Sequence, residues 1–187
     1  MKIMDAKTKP IVMAAWAMFQ RYGYAKTTMS DIAAEAGVAR QTLYNAFPGK
    51  PDILRAVIVL AGEVALEEIK TAWDSCANLE EKIDSFQRLG PLAWFEAMRQ
   101  MPDWAELMEG INAIAADELA KQEITWIALL EALIAEEVAP EHDSSPRDIA
   151  EFVFSASKNA KYGAEDRAHM ARRLTTIKTA AMAMIKA

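Results

Sequence analysis

No stretch of this chain alternates apolar and polar residues as a half-buried strand must, whereas apolar residues recur throughout at spacings of three and four. That pattern confines the chain to helices. The expected fold class is all-α, with about nine helices, since only the helical period places residues three and four apart on one face. At 187 residues the chain can bury a core without covalent staples. Its single Cys, Cys76, excludes an internal disulfide and a Cys-rich zinc site, and reads as a small buried residue rather than an oxidant sensor.

Chemistry-bearing clusters are scarce. His142 and His169 have no second ligand at metal spacing and read as surface positions, so neither a metal nor a cofactor is expected. No nucleophile–base pair, paired catalytic acids, P-loop or dinucleotide fingerprint is visible, which argues against an enzyme. The longest apolar runs, Ala56 to Gly62 and Trp126 to Ala135, fall short of the roughly 18 residues a bilayer span needs. Lys2, Lys7 and Lys9 before Ile11 to Phe19, with Ala15-Trp16-Ala17, imitate a secretory leader, but Asp5 spoils the basic region. A buried helix in a cytoplasmic protein without a membrane partner is the expectation.

Local punctuation divides the N-terminal third. A first helix starts near Pro10, which suits a first turn, and ends at Gly23. Thr28 is an acceptable N-cap with Asp31 three residues later, so a short helix follows to about Ala36. Gly37 ends it. A third helix covers roughly Arg40 to Phe47, and Pro51 opens a longer one toward Ala72. Beyond it, helices are expected over Leu79 to Gln100, Asp103 to Glu109 and Ile111 to Val138. A loop then runs from Pro140 to Pro146, and two further helices end near Gly163 and at Lys186.

Charge is uneven. Residues 1 to 60 hold 8 Lys/Arg against 4 Asp/Glu, while residues 61 to 187 hold 13 against 23. The basic end is therefore the one suited to a polyanion. Within it, two short helices joined by Ala36-Gly37-Val38-Ala39 have the size of a helix-turn-helix, whose second helix enters a DNA major groove. Ile32, Ala33, Val38, Leu43 and Phe47 supply the apolar contacts where the two cross, and Ala15 and Phe19 are spaced to cover them.

The stretch from Ile11-Val-Met-Ala-Ala-Trp-Ala-Met-Phe to Tyr24, continued by Thr27-Thr-Met-Ser-Asp-Ile-Ala-Ala-Glu-Ala-Gly-Val-Ala-Arg-Gln-Thr-Leu-Tyr-Asn-Ala-Phe-Pro-Gly-Lys50 to Leu54, is more specific. It resembles the N-terminal domain of the TetR family of transcriptional repressors. The resemblance covers about the first 55 residues and implies a TetR-like architecture: a helix-turn-helix DNA-binding domain over 1–55, and a helical effector-binding and dimerisation domain over 56–187. It also implies a homodimeric repressor that binds a palindromic double-stranded DNA operator and is released by a small effector. Two positions depart from that pattern: Ala39 stands where Ser is common, and Pro51 where an acid is usual. The first removes a side-chain cap; the second suits a first helical turn.

Residue roles follow for the second helix of the pair. A cation at its start opposes the macrodipole, so Arg40 makes most sense if it meets a guanine edge or a phosphate; the alternative is a solvated surface Arg. Gln41 and Asn45, four apart on one face, either pair with adenine or phosphate or are simply exposed amides. Thr42 either meets a thymine methyl group or helps the helix begin. By resemblance to the family, Thr28, Tyr44 and Lys50 reach phosphates, which position the protein without specifying sequence. Lys26 adds electrostatics or is merely solvated.

The rest of the chain is less informative. Trp94, Phe95, Met98, Met101, Trp104, Met108 and Trp126 concentrate large soft side chains suited to a small hydrophobic effector. Of these, Trp94, Met98, Met101, Trp104, Met108 and Trp126 are the candidate ligand residues, and the same chemistry serves a core. Acidic Glu106, Glu109, Asp117 and Glu118 read as a solvated face rather than a site for a cation. Met170, Leu174, Ile177, Ala181 and Met184 repeat at four and three, as do Ile149, Val153, Ala156 and Ala160 beside Phe152. With family resemblance, Phe152, Val153, Ala156, Leu174, Ile177, Ala181 and Met184 become the expected dimer interface; the alternative is that both stripes face their own core. A DNA-binding co-regulator or architectural protein without a ligand is the competing function.

Overall fold

The computed structural model describes residues 7–103, 114–139 and 141–186. All regular structure among them is helical. The helices are α1 (Lys9–Tyr22), α2 (Met29–Glu35), α3 (Arg40–Ala46), α4 (Lys50–Trp73), α5 (Leu79–Gln87), α6 (Ala93–Arg99), α7 (Ala116–Ile134), α8 (Pro146–Asn159) and α9 (Arg167–Lys186), with one π-helical turn at Arg88–Leu92. The chain forms two compact units, Met1–Val64 with Ala97–Ala120, and Ala65–Glu96 with Lys121–Ala187.

In the first unit, α1 carries Pro10 in its first turn and stops at Gly23, where φ is +85° and the N–H donates to the Phe19 carbonyl at 2.9 Å. It buries Ile11, Val12, Ala15 and Phe19. Thr28 and Asp31 form the anticipated capping box at the start of α2. Gly37, at φ +65°, turns the chain in a left-handed conformation that a side chain would disfavour. Ala39 precedes α3 and makes no side-chain cap, and Leu43 is the one buried residue of that helix. Phe47, expected in the core beside it, is half-buried. Ile53, Leu54, Val57 and Ile58 of α4 are buried as well.

The second unit has its own core of Phe86, Trp126 and Phe154 with Ile83, Leu130, Ile134 and Ile149. The Phe86 ring centroid lies 5.5 Å from that of Trp126 and 6.5 Å from that of Phe154, both tilted. Asn78 caps α5, and a Ser145–Asp148 capping box with Pro146 in the first turn starts α8. Gln87 Nε2 donates to Ser157 Oγ at 3.0 Å, satisfying two otherwise isolated buried polar groups. At the surface, Lys178 pairs with Asp84 at 2.9 Å and Lys158 with Glu123 at 2.7 Å.

Several expected boundaries move. The single helix over Leu79 to Gln100 is instead α5, the π turn and α6, because Pro91 has no N–H to give the α ladder. The helix anticipated over Ile111 to Val138 is described as α7, ending at Ile134. Asp103 lies in a turn; Trp104, Met108, Glu106 and Glu109 lie outside the described residues, as does Pro140. His142, expected at the surface, is half-buried, and its Nδ1 accepts from the Ser144 N–H at 3.0 Å.

Candidate nucleic-acid interface

Seven residues make α3 too short to persist alone, so its orientation rests on what it buries. Leu43 is fully buried, while Arg40, Gln41, Thr42, Tyr44 and Asn45 are all exposed. One apolar side chain thus fixes the helix, and the remaining surface is polar and basic. Gln41 Nε2 donates to Asn45 Oδ1 at 2.8 Å, which aligns the two amides on one face. Such a pair presents one free amide oxygen and N–H groups, the donor and acceptor set that reads a base edge or a phosphate. Tyr44 is 49% exposed, so its hydroxyl is available outside the fold.

Thr28 is exposed, yet its hydroxyl is engaged: it donates to Asp31 Oδ2 at 2.6 Å and accepts from the Asp31 N–H at 3.2 Å. The Thr28 hydroxyl, and after it the Thr28 N–H, hold the Asp31 carboxyl below its usual ionisation range. A carboxyl that ionises at lower pH in the folded chain adds stability above the ordinary carboxylate pKa of about 3.9, and that stability is lost as pH falls through the folded value. Thr28→Ala should cost about 1 kcal/mol near neutral pH. In thermal unfolding, the gap between variant and parent should narrow as the solution is acidified through that range.

Lys50, the first residue of α4, is turned toward its own chain. Its ammonium donates to the carbonyls of Tyr24 at 2.7 Å, Thr27 at 2.9 Å and Ala25 at 3.2 Å, and lies 4.4 Å from the Tyr24 ring centroid. All three ammonium donors are therefore occupied, and a phosphate contact would require surrendering one. Burial pushes the Lys50 pKa down, and the Asp103 carboxylate works against that shift. Beside this turn lies a concavity of about 490 Å³ lined by Met18, Arg21, Tyr22, Lys26, Thr27, Asp31 and Pro102. Arg21 and Lys26 are exposed there, two cations flanking the start of α2.

Trp126 is a core member of the second unit, packed on Phe86. Trp94 is half-buried, while Met98 and Met101 are buried within the span assigned to the first unit. None of the four lines the concavity beside α2, and Trp104 and Met108 are not among the described residues. Of the anticipated interface stripe, Val153, Leu174 and Ala181 are covered by their own chain, at 0%, 3% and 0% exposure. A side chain already dry has no surface left for a partner to bury. Phe152, Ala156, Ile177 and Met184 are half-buried. Among the described residues no group of three or more His, Cys, Asp or Glu could hold a metal ion, and no helix is long and apolar enough to cross a membrane.

Sequence reasoning did not single out Thr27 or Asp103. Thr27, buried, donates from Oγ1 to the Gly23 carbonyl at 2.7 Å. Asp103 accepts from the N–H groups of Tyr24 at 3.0 Å and Ala25 at 2.6 Å. Thr27 carried a faint local signal, a hydroxyl four residues past a helix-ending glycine. Asp103 carried none.

A short, exposed polar helix set behind a glycine turn and anchored by one leucine is the arrangement of a helix-turn-helix. Residues 11–57 match the model of the bacterial regulatory proteins of the tetR family. It is 25% identical over 119 residues to the uncharacterized HTH-type transcriptional regulator YerO of Bacillus subtilis, a match covering 64% of this chain and 40% of that protein. The fold is shared with a transcriptional regulator from Cytophaga hutchinsonii at a TM-score of 0.79, 19% identity and coverage of 97% and 98% of the two chains. It is shared too with the fatty acid degradation regulator FadR from Bacillus halodurans, at a TM-score of 0.67, 18% identity and 96% coverage of each.

Proposed function

We propose that the chain is a cytoplasmic repressor acting as a homodimer, each protomer placing α3 in one of two successive major grooves of a near-palindromic operator, about 34 Å apart. The observation that carries this reading is the division of α3, with Leu43 dry and Arg40, Gln41, Thr42, Tyr44 and Asn45 all outside. Arg40, Gln41, Thr42 and Asn45 contact base edges or adjacent phosphates, and Tyr44 and the start of α2 at Thr28 hold the backbone. Lys50 serves this by fastening the turn before α2. The half-buried Phe152, Ala156, Ile177 and Met184 are the residues of α8 and α9 through which a second copy would dock.

Release of DNA follows from a small apolar effector, for which the Trp- and Met-rich stretch from Trp94 to Trp126 supplies suitable side chains. Such a molecule opens the complex only by binding the DNA-free conformation more tightly than the DNA-bound one.

Footprinting on the region upstream of the chain's own gene tests the reading. A protected inverted repeat is expected. Protection without two-fold symmetry, or none on a duplex the protein otherwise retains, would remove the dimeric repressor. On the protected sequence, Arg40→Ala should relax the preference at one base pair per half-site by about 1–3 kcal/mol, measured by competition with singly substituted duplexes. Equal losses at every position would instead make Arg40 a phosphate contact.

A further inference from the structure

The turn that joins α1 to α2 is held almost entirely by side chains. Thr27 takes the Gly23 carbonyl, and Lys50 takes the carbonyls of Tyr24, Ala25 and Thr27. The consecutive N–H groups of Tyr24 and Ala25 both point at the carboxylate of Asp103, one to each oxygen. Thr27 and Lys50 lie within the matched residues 11–57; Asp103 lies outside them, 79 and 78 positions from its partners. Gly23 makes the approach feasible. A Cβ there would stand 2.8 Å from Asp103 Oδ1, closer than atoms can pack, and its φ of +85° already disfavours a side chain.

We infer that Asp103 is a positioning residue for sequence-selective DNA binding: its carboxylate completes a turn that the helix-turn-helix segment cannot complete by itself. The turn feeds directly into the Thr28 cap, α2 packs on α1, and α3 packs on α2, so the place where α2 begins sets where α3 is presented. Charge sharpens the tie. The carboxylate accepts from one edge of the turn while the Lys50 ammonium donates to the other, and bonds to ionised groups are the stronger kind. The inference goes beyond DNA binding itself. It places a determinant of selectivity in the Ala97–Ala120 span, which joins the first compact unit although it follows the end of the matched domain by some 40 residues.

The test uses the full-length protein and two duplexes: one selected by the parent from a random pool, the other a scramble of it. Asp103→Ala should lower affinity for the selected duplex about tenfold, the scale of one charge-assisted hydrogen bond, and leave the scrambled duplex within about twofold of the parent. Asp103→Asn, which keeps the shape but offers one acceptor oxygen in place of two, should fall between. Amide exchange should accelerate at Tyr24 and Ala25 in both variants, with α3 helicity retained. A purely structural role would lower the unfolding midpoint and weaken both duplexes together, and that result overturns the inference. So does an unchanged ratio of selected to scrambled affinity in Asp103→Asn, should Asp103→Ala not fold. If the parent itself selects no duplex, the reading of α3 as a recognition helix fails first, and the inference with it.

Discussion

Leu43→Ala should lower the stability of the first unit by about 3 kcal/mol and abolish selection of one duplex over another, while weak salt-sensitive binding to any duplex persists. The side chain is fully buried and is the only one of α3 that is. Truncation removes its apolar surface from the core and leaves a cavity, a pair of costs that for a buried leucine spans roughly 2–5 kcal/mol. The seven-residue helix has no side-chain cap at Ala39 and is too short to hold itself together, so it leans on this one fully buried side chain. Urea unfolding followed by far-ultraviolet dichroism measures the first effect and paired binding isotherms the second. A midpoint within a few tenths of a molar of the parent would show that α3 is held by something else.

Phe86→Ala is expected to be the most damaging single truncation in the second unit, at about 4 kcal/mol. Phe86 is 2% exposed and its ring is flanked by Trp126 and Phe154, so the substitution removes two aromatic contacts as well as burial. The expected signature is a red-shifted, quenched Trp fluorescence at low denaturant, since water gains access to the face of Trp126. The DNA-selection ratio defined above provides the control: a core lesion in this unit should move the unfolding curve before it alters base preference.

How far the sequence could be read depended on the range of each interaction. The first three helices were legible because their signals are local: Pro10 in the first turn, Gly23 at the stop, Thr28 and Asp31 three apart, and Gly37 in the turn. The exposed face of α3 was legible for the same reason, since Leu43 sits amid polar neighbours at helical spacing. Lys50 was placed at the head of α4, but the carbonyls it serves are 23 to 26 residues away, and a lysine at a helix start carries no mark of whether it faces phosphate or its own chain. Asp103 is the extreme case, an ordinary acid whose partners are backbone amides that no sequence pattern records. Stripes at four and three mark apolar faces in α8 and α9, yet periodicity cannot say who covers them. Val153, Leu174 and Ala181 are covered by their own chain.

Pro91 stands among helix formers on either side, and the π turn around it has a further effect. One added residue in a single turn rephases everything downstream by about 100° about the helix axis. Ahead of the wide turn, Ile83 and Phe86 join the aromatic core; Leu92 at its last position and Phe95 beyond it join a separate cluster with Ala160, Met170 and Leu174. The bulge thus acts as an angular offset, letting one nearly continuous rod wet neither of two differently facing greasy stripes. Excising Gly90 to restore uniform winding would be expected to swing the later stripe into solvent.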